Sequence, residues 1–199
     1  MRIIAGEFRG RRLLPPEGTD VTRPITDRVK QSLFDILSPW LVGACVYDLF
    51  AGTGSMGLES LSRGAAQATF FEADRSAVAR LRKNLATLGV AGRATVVSGD
   101  LFRWFDADPA VARADVLFLD PPYRFLRERA DALRQLSGAL ARRHLAPDGV
   151  VVFRHDAADV LELPGLHRYD SRTYGGMTLE FMTPAGAKGD AVDRPQVQP

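Results

Sequence analysis

The stretch Val46-Tyr47-Asp48-Leu49-Phe50-Ala51-Gly52-Thr53-Gly54-Ser55-Met56-Gly57 decides the fold. It is an apolar run that ends in glycines at 52, 54 and 57 and then opens into a helical pattern, so G-x-G-x-x-G stands in the strand-to-helix context it requires. The turn is tight, a ligand has to approach the backbone, and the helix has to pack on the strand. Each of these needs favours a residue without a Cβ. Working outward, apolar runs recur at 45–50, 68–73, 94–98, 115–119 and 150–153, with amphipathic segments near 55–63, 75–88 and 125–144. Apolar strands alternating with helices predict a parallel sheet covered on both faces, the doubly wound α/β class. Arg168–Tyr174 and Met177–Thr183 flank Tyr174-Gly175-Gly176 and predict a closing antiparallel hairpin, which brings the sheet to seven strands.

Ahead of this core, Met1 to Leu14 read as two short strands around a glycine-bearing turn, broken by Pro15-Pro16-Glu17-Gly18. The expected organisation is a basic hairpin arm over 1–24, a main domain over 25–183 and a disordered tail over 184–199. Thr26 is the expected N-cap of a linking helix with Asp27 in its first turn and Val29, Leu33, Phe34 and Leu37 at helical spacing, ending at Pro39. The 199 residues, 46% hydrophobic and 25% charged, suit one globular domain. No apolar stretch approaches the roughly 18 residues of a membrane span, and the N-terminus lacks a signal-peptide core, so a cytoplasmic location is expected; a monomer is expected too. Cys45 is the sole cysteine, which excludes an intrachain disulfide and a cysteine-based zinc site; no metal is expected.

The net charge of +2 is unevenly spread. Residues 1–30 hold seven cations (Arg2, Arg9, Arg11, Arg12, Arg23, Arg28 and Lys30) against four anions, and 124–143 hold six arginines against two acids. Such clusters suit a phosphate backbone, whose neutralisation releases condensed counterions. The seven N-terminal cations are therefore the candidate nucleic-acid contacts. Arginine outnumbers lysine 23 to three, so base composition of the genome is a competing explanation.

Acids end the successive strands. Asp48 precedes the glycines, where it would repel a pyrophosphate and attract a cationic amino-acid end. Glu72, 20 residues after Gly52, suits ribose hydroxyls, and Asp100 in Ser98-Gly99-Asp100-Leu101 suits the exocyclic amine of an adenine. Ammonium, ribose and adenine without phosphate describe S-adenosylmethionine better than a nicotinamide dinucleotide.

Asp120-Pro121-Pro122-Tyr123 is the most specific signal. Two prolines fix the backbone so that the Asp side chain and a neighbouring carbonyl can face one amino group, while the aromatic ring offers a stacking surface. An exocyclic base amine delocalises its lone pair into the ring and is a poor nucleophile. Two acceptors that hold its hydrogens turn that pair toward a methyl group, with Asp120 available to take the proton.

Together with these motifs, Met1-Arg2-Ile3-Ile4-Ala5-Gly6, Arg23-Pro24-Ile25-Thr26-Asp27-Arg28-Val29-Lys30-Gln31-Ser32-Leu33-Phe34 and Gly57-Leu58-Glu59-Ser60-Leu61-Ser62-Arg63-Gly64-Ala65 make the chain resemble the RsmD-type methyltransferases of small-subunit ribosomal RNA, in order from residue 1 to about 183. The resemblance implies a class I S-adenosylmethionine-dependent methyltransferase fold, Rossmann-like, and N2 methylation of a guanine in 16S ribosomal RNA, on an assembled or partly assembled small subunit. It implies cofactor contacts from Asp48, Phe50, Ala51, Gly52, Thr53, Gly54, Gly57, Glu72, Asp100 and Leu101. Asp120, Pro121, Pro122 and Tyr123 would hold the guanine. Two other readings stay open on the residues alone: a DNA amino-methyltransferase acting on adenine N6 or cytosine N4, for which 199 residues leave little room for target recognition, and a non-catalytic RNA-binding assembly factor.

Overall fold

The computed structural model describes residues 1–16, 25–107 and 109–186. In chain order the elements are α1 (Asp27–Leu41), β1 (Cys45–Leu49), α2 (Ser55–Ser62), β2 (Gln67–Glu72), α3 (Arg75–Leu88), β3 (Ala94–Ser98), α4 (Leu101–Asp106) and β4 (Ala114–Leu119). They continue with α5 (Phe125–Glu128), α6 (Ala130–Ala139), β5 (Leu145–Asp156), β6 (Leu166–Tyr174) and β7 (Met177–Pro184). The seven strands form one sheet in the order β3-β2-β1-β4-β5-β7-β6. β1 to β5 pair in parallel, and β7 runs antiparallel between β5 and β6, the expected closing hairpin. The order reverses between β1 and β4, and a crevice at such a switch point is where open α/β sheets bind ligands.

Alternation along the strands builds two apolar layers. Val46 and Phe118 pack with Leu33, Leu58 and Leu81 from α1, α2 and α3. Tyr47, Leu49 and Leu117 pack with Phe105 and Leu133 from α4 and α6. Period-2 strands between period-3.6 helices produce this division directly.

Thr26 caps α1 as expected, its hydroxyl accepting from the Val29 amide. The helix does not stop at Pro39 but runs to Leu41. Pro39 has no N–H to offer the Asp35 carbonyl, and the Ser38 hydroxyl donates to that carbonyl instead at 2.9 Å. Three further elements went unforeseen: α4, a π-helical turn at Leu140–His144, and the early start of β5 at Leu145.

The N-terminal segment folds back on itself, the Ile3 and Leu13 amides donating to the Arg11 and Met1 carbonyls at 3.0 and 3.1 Å. Its strands reduce to one bridge between Arg2 and Arg12, and Ile3 and Leu13 are buried in the main core. Gly6 lies so close to α2 that a Cβ there would meet the Ser62 carbonyl, and the Glu7 amide donates to that same carbonyl at 2.7 Å. The segment therefore belongs to the domain. Its expected boundary at residue 24 falls outside the described residues, as does nearly all of the expected tail, although Pro184 itself still belongs to β7. Among the described residues no helix is long and apolar enough to cross a membrane, and no group of three or more His, Cys, Asp or Glu could hold a metal ion.

Candidate active site

The loop after β1 turns sharply at Phe50, a non-glycine residue at φ 61°. Side chains adopt that conformation at a cost, and such outliers concentrate at functional sites. The Phe50 ring meets Phe102 of α4 and Phe125 of α5 edge-on at 6.1 and 5.8 Å. Arg129 lies over both partner rings, 4.2 Å from the centroid of Phe102.

Two carboxylates hold the glycine loop. Glu72, at the end of β2, accepts from the Gly52 amide at 2.7 Å through Oε2 and from the Asp74 amide at 2.7 Å through Oε1. Asp48, 2% exposed, accepts from the Gly57 amide at 2.9 Å. Burial pushes the Asp48 carboxyl up to about 8, and the nearby charges of Asp120 and Glu72 add to the shift. Asp48 thus fixes the start of α2. Gly57 is required by packing, since a Cβ would run into the Phe70 ring.

The other expected cofactor residues divide. Gly52 and Gly54 form the turn, and the Ala51 amide donates to the Phe71 carbonyl. Thr53 is buried, its carbonyl accepting from Asn84 Nδ2 at 3.0 Å. Asp100 is exposed at the N-cap of α4, where Oδ1 accepts from the Phe102 amide. Leu101 opens α4 with its side chain buried in the core beneath that helix.

Asp120 to Tyr123 follow β4 directly, across the switch point from the glycine loop. The Pro122 and Tyr123 carbonyls accept from the Phe125 and Leu126 amides, so these two are spent in the turn that opens α5. Asp120 Oδ2 accepts from Arg154 Nη1 at 2.8 Å. Asp120 Oδ1 is buried and has no hydrogen-bond partner among the described residues. A buried carboxylate oxygen left unsatisfied is costly, which points to a donor that arrives with a ligand. Burial raises the Asp120 carboxyl above its ordinary value against the opposing pull of Arg154. Arg154 is 5% exposed and lies 5.9 Å from the Tyr123 ring centroid. The sequence reading missed it, though a charged pair, Arg154-His155, closing the apolar run 150–153 was the available signal.

The expected RNA contacts also divide. Arg9, Arg12 and Arg28 are exposed. Arg2 pairs with Asp27 at 2.8 Å, and Arg11 donates to the Thr87 carbonyl at 2.9 Å. Arg23 lies outside the described residues. Lys30 is a correction: it is 2% exposed and its Nζ pairs with Glu59 Oε2 at 2.9 Å, so it has no surface to offer a phosphate. Glu59 also accepts from the Ile4 and Ala5 amides and from Arg63. Asn84 makes a second buried tie, accepting from the Leu14 amide while donating to the Leu14 and Thr53 carbonyls. The N-terminal segment is thereby bound to the glycine loop and to the helix that follows it.

Comparison with known proteins gives the family. The family described as "Conserved hypothetical protein 95" matches residues 1–183. "Ribosomal RNA small subunit methyltransferase D" of Escherichia coli (strain K12) is 47% identical over 124 residues, 62% of this chain and 61% of that protein. YlbH of Bacillus subtilis (strain 168) is 38% identical over 196 residues, 96% of this chain and 97% of its own length. A hypothetical protein of Thermus thermophilus, known from its structure, superposes with a TM-score of 0.72 at 32% identity, covering 91% of this chain and 98% of that one. The chain belongs to the conserved hypothetical protein 95 family, the family of the ribosomal RNA small subunit methyltransferase D proteins.

Proposed function

We propose that this protein methylates the exocyclic N2 amine of a guanine in 16S ribosomal RNA, within the small subunit or an assembly intermediate, with S-adenosylmethionine as donor. The observation that carries the reading is the unpartnered, buried Asp120 Oδ1 at the head of Asp120-Pro121-Pro122-Tyr123, in a chain whose relatives bear the ribosomal RNA methyltransferase name.

The residues fit the cofactor. Glu72 stands at the end of the strand beside β1, where its carboxylate can accept from ribose hydroxyls while it holds the Gly52 amide. Asp100 stands at the end of the next strand, for the adenine amine. Gly52 meets open space where a Cβ would stand, so the backbone can be approached closely. When bound, S-adenosylmethionine supplies a methyl group on a sulfonium, whose bond to sulfur breaks as the new bond to nitrogen forms. Asp120 Oδ1 accepts one amine hydrogen, the Asp120 or Pro121 carbonyl accepts the other, and the lone pair is thereby aimed away from the guanine ring. Tyr123 provides a stacking face, and the proton released on transfer passes to Asp120 and then to solvent. Exposed Arg9, Arg12 and Arg28 contact phosphates. Asp48 serves by holding the loop.

Incorporation of labelled methyl groups into small subunits, naked 16S RNA and duplex DNA tests this reading. It expects labelled ribosomal RNA and unlabelled DNA; label in DNA alone would replace it with the amino-methyltransferase of DNA, and no label in any substrate would leave an RNA-binding assembly factor.

A further inference from the structure

We propose that Arg154 is the positioning residue of the Asp120 carboxylate, its guanidinium claiming Oδ2 so that Oδ1 is the oxygen presented to the target amine. The inference rests on the methyl-transfer reading above for its purpose, but its geometry stands alone. Asp120 lies beyond the end of the β4 ladder, where no strand pairing fixes it. Its side chain could rotate. Arg154 is anchored better: its backbone pairs opposite Leu179 of β7, one residue past the last β4–β5 pair, Leu119 with Phe153, and its side chain has further partners. Its side chain is 5% exposed, Nε donates to the Met177 sulfur, and the guanidinium lies against the Tyr123 ring. One rigid cation thus orients both the acceptor and the stacking residue of the tetrapeptide.

The charge has a second effect. Arg154 lowers the Asp120 carboxyl through its charge and its hydrogen bond, against the burial that raises it. An ionised carboxylate accepts the amine hydrogen, whereas a protonated one would present a donor instead. An opposite charge at this distance moves a carboxylate by about 1–3 pH units, so removing it should carry the titration upward by that amount.

The test uses Arg154→Gln and Arg154→Lys in the full chain, with thermal melting as a check of folding. Carbon-13 NMR of the Asp120 carboxyl in the ligand-free protein is expected to titrate about 1–3 units higher in Arg154→Gln than in the wild type, and less far in Arg154→Lys. The acid limb of the methyl-transfer rate should move in parallel, with S-adenosylmethionine affinity within twofold of wild type. Arg154→Gln leaves a buried carboxylate without its cation and is at risk of misfolding, whereas Asp120→Asn/Arg154→Gln removes both charges. A residue acting through Asp120 makes that double variant no slower than Asp120→Asn alone. An unmoved Asp120 titration, or additive losses in the double variant, would overturn the assignment. A wild-type protein that methylates no RNA would overturn the methyl-transfer reading while leaving the NMR result to judge the pairing.

Discussion

Glu59→Gln should destabilise this protein by an amount that depends on pH in a predictable direction. Glu59 is fully buried and holds Lys30 at 2.9 Å, Arg63 at 2.9 Å and the Ile4 and Ala5 amides at 2.8 and 3.0 Å. Removing one partner of a buried ion pair costs about 3–5 kcal/mol. Lys30 can escape part of the penalty by losing its proton, since burial already lowers it from the ordinary 10.5. Discharging it at pH 7 costs about 1.4 kcal/mol for each of roughly three and a half units, a ceiling near about 5 kcal/mol. At pH 9 the ceiling falls to about 2 kcal/mol. In the variant the unfolded chain then binds one proton more than the native state, so the variant gains stability as pH rises and the deficit narrows. Urea unfolding at pH 7 and pH 9 measures both values. A deficit under about 1 kcal/mol at pH 7, or one of equal size at both pH values, would refute the assignment of Lys30 and Glu59 to a buried pair.

Three further outcomes follow from the same geometry. Glu72→Ala should weaken S-adenosylmethionine binding about 10- to 150-fold by calorimetry, the worth of a charge-assisted hydrogen bond. Asp48→Asn should melt above the wild type at pH 8.5 and close to it near pH 4. The wild-type native state keeps its Asp48 proton up to about 8, whereas the unfolded chain releases it near 4, so the wild type loses stability across that window and the variant does not. Replacing Arg9 and Arg12 together should reduce the salt dependence of RNA binding by about 1.4–1.8 in log–log slope without touching cofactor affinity; an unaltered slope would remove these residues from the RNA surface.

The alternation of strand and helix was legible because burial on both faces leaves apolar runs that need no partner to be recognised, and Gly57 was legible because the helix has to approach the Phe70 ring. What escaped depends on residues far apart in sequence. Lys30 looked like a surface cation until Glu59 and Arg63 were brought to it, and Ile3 and Leu13 looked like arm residues until the main core received them. The short signal Ser98-Gly99-Asp100 suits a ligand and an N-cap equally, and the N-cap role starts α4. Pro39 misled because a local rule about its missing N–H was answered by its neighbour Ser38. Arg154 is hidden by the apolar run before it, although the strand-end acids Glu72 and Asp120 show where polar residues matter.

Nucleoside mass spectrometry of 16S RNA from small subunits incubated with S-adenosylmethionine tests most directly whether Asp120 Oδ1 accepts a hydrogen of a guanine N2 amine. The account predicts N2-methylguanine with the wild-type protein and none with an Asp120→Ala variant that still binds the cofactor with nearly unchanged affinity. A methylated nucleoside other than N2-methylguanine, or wild-type yield from Asp120→Ala, would contradict it.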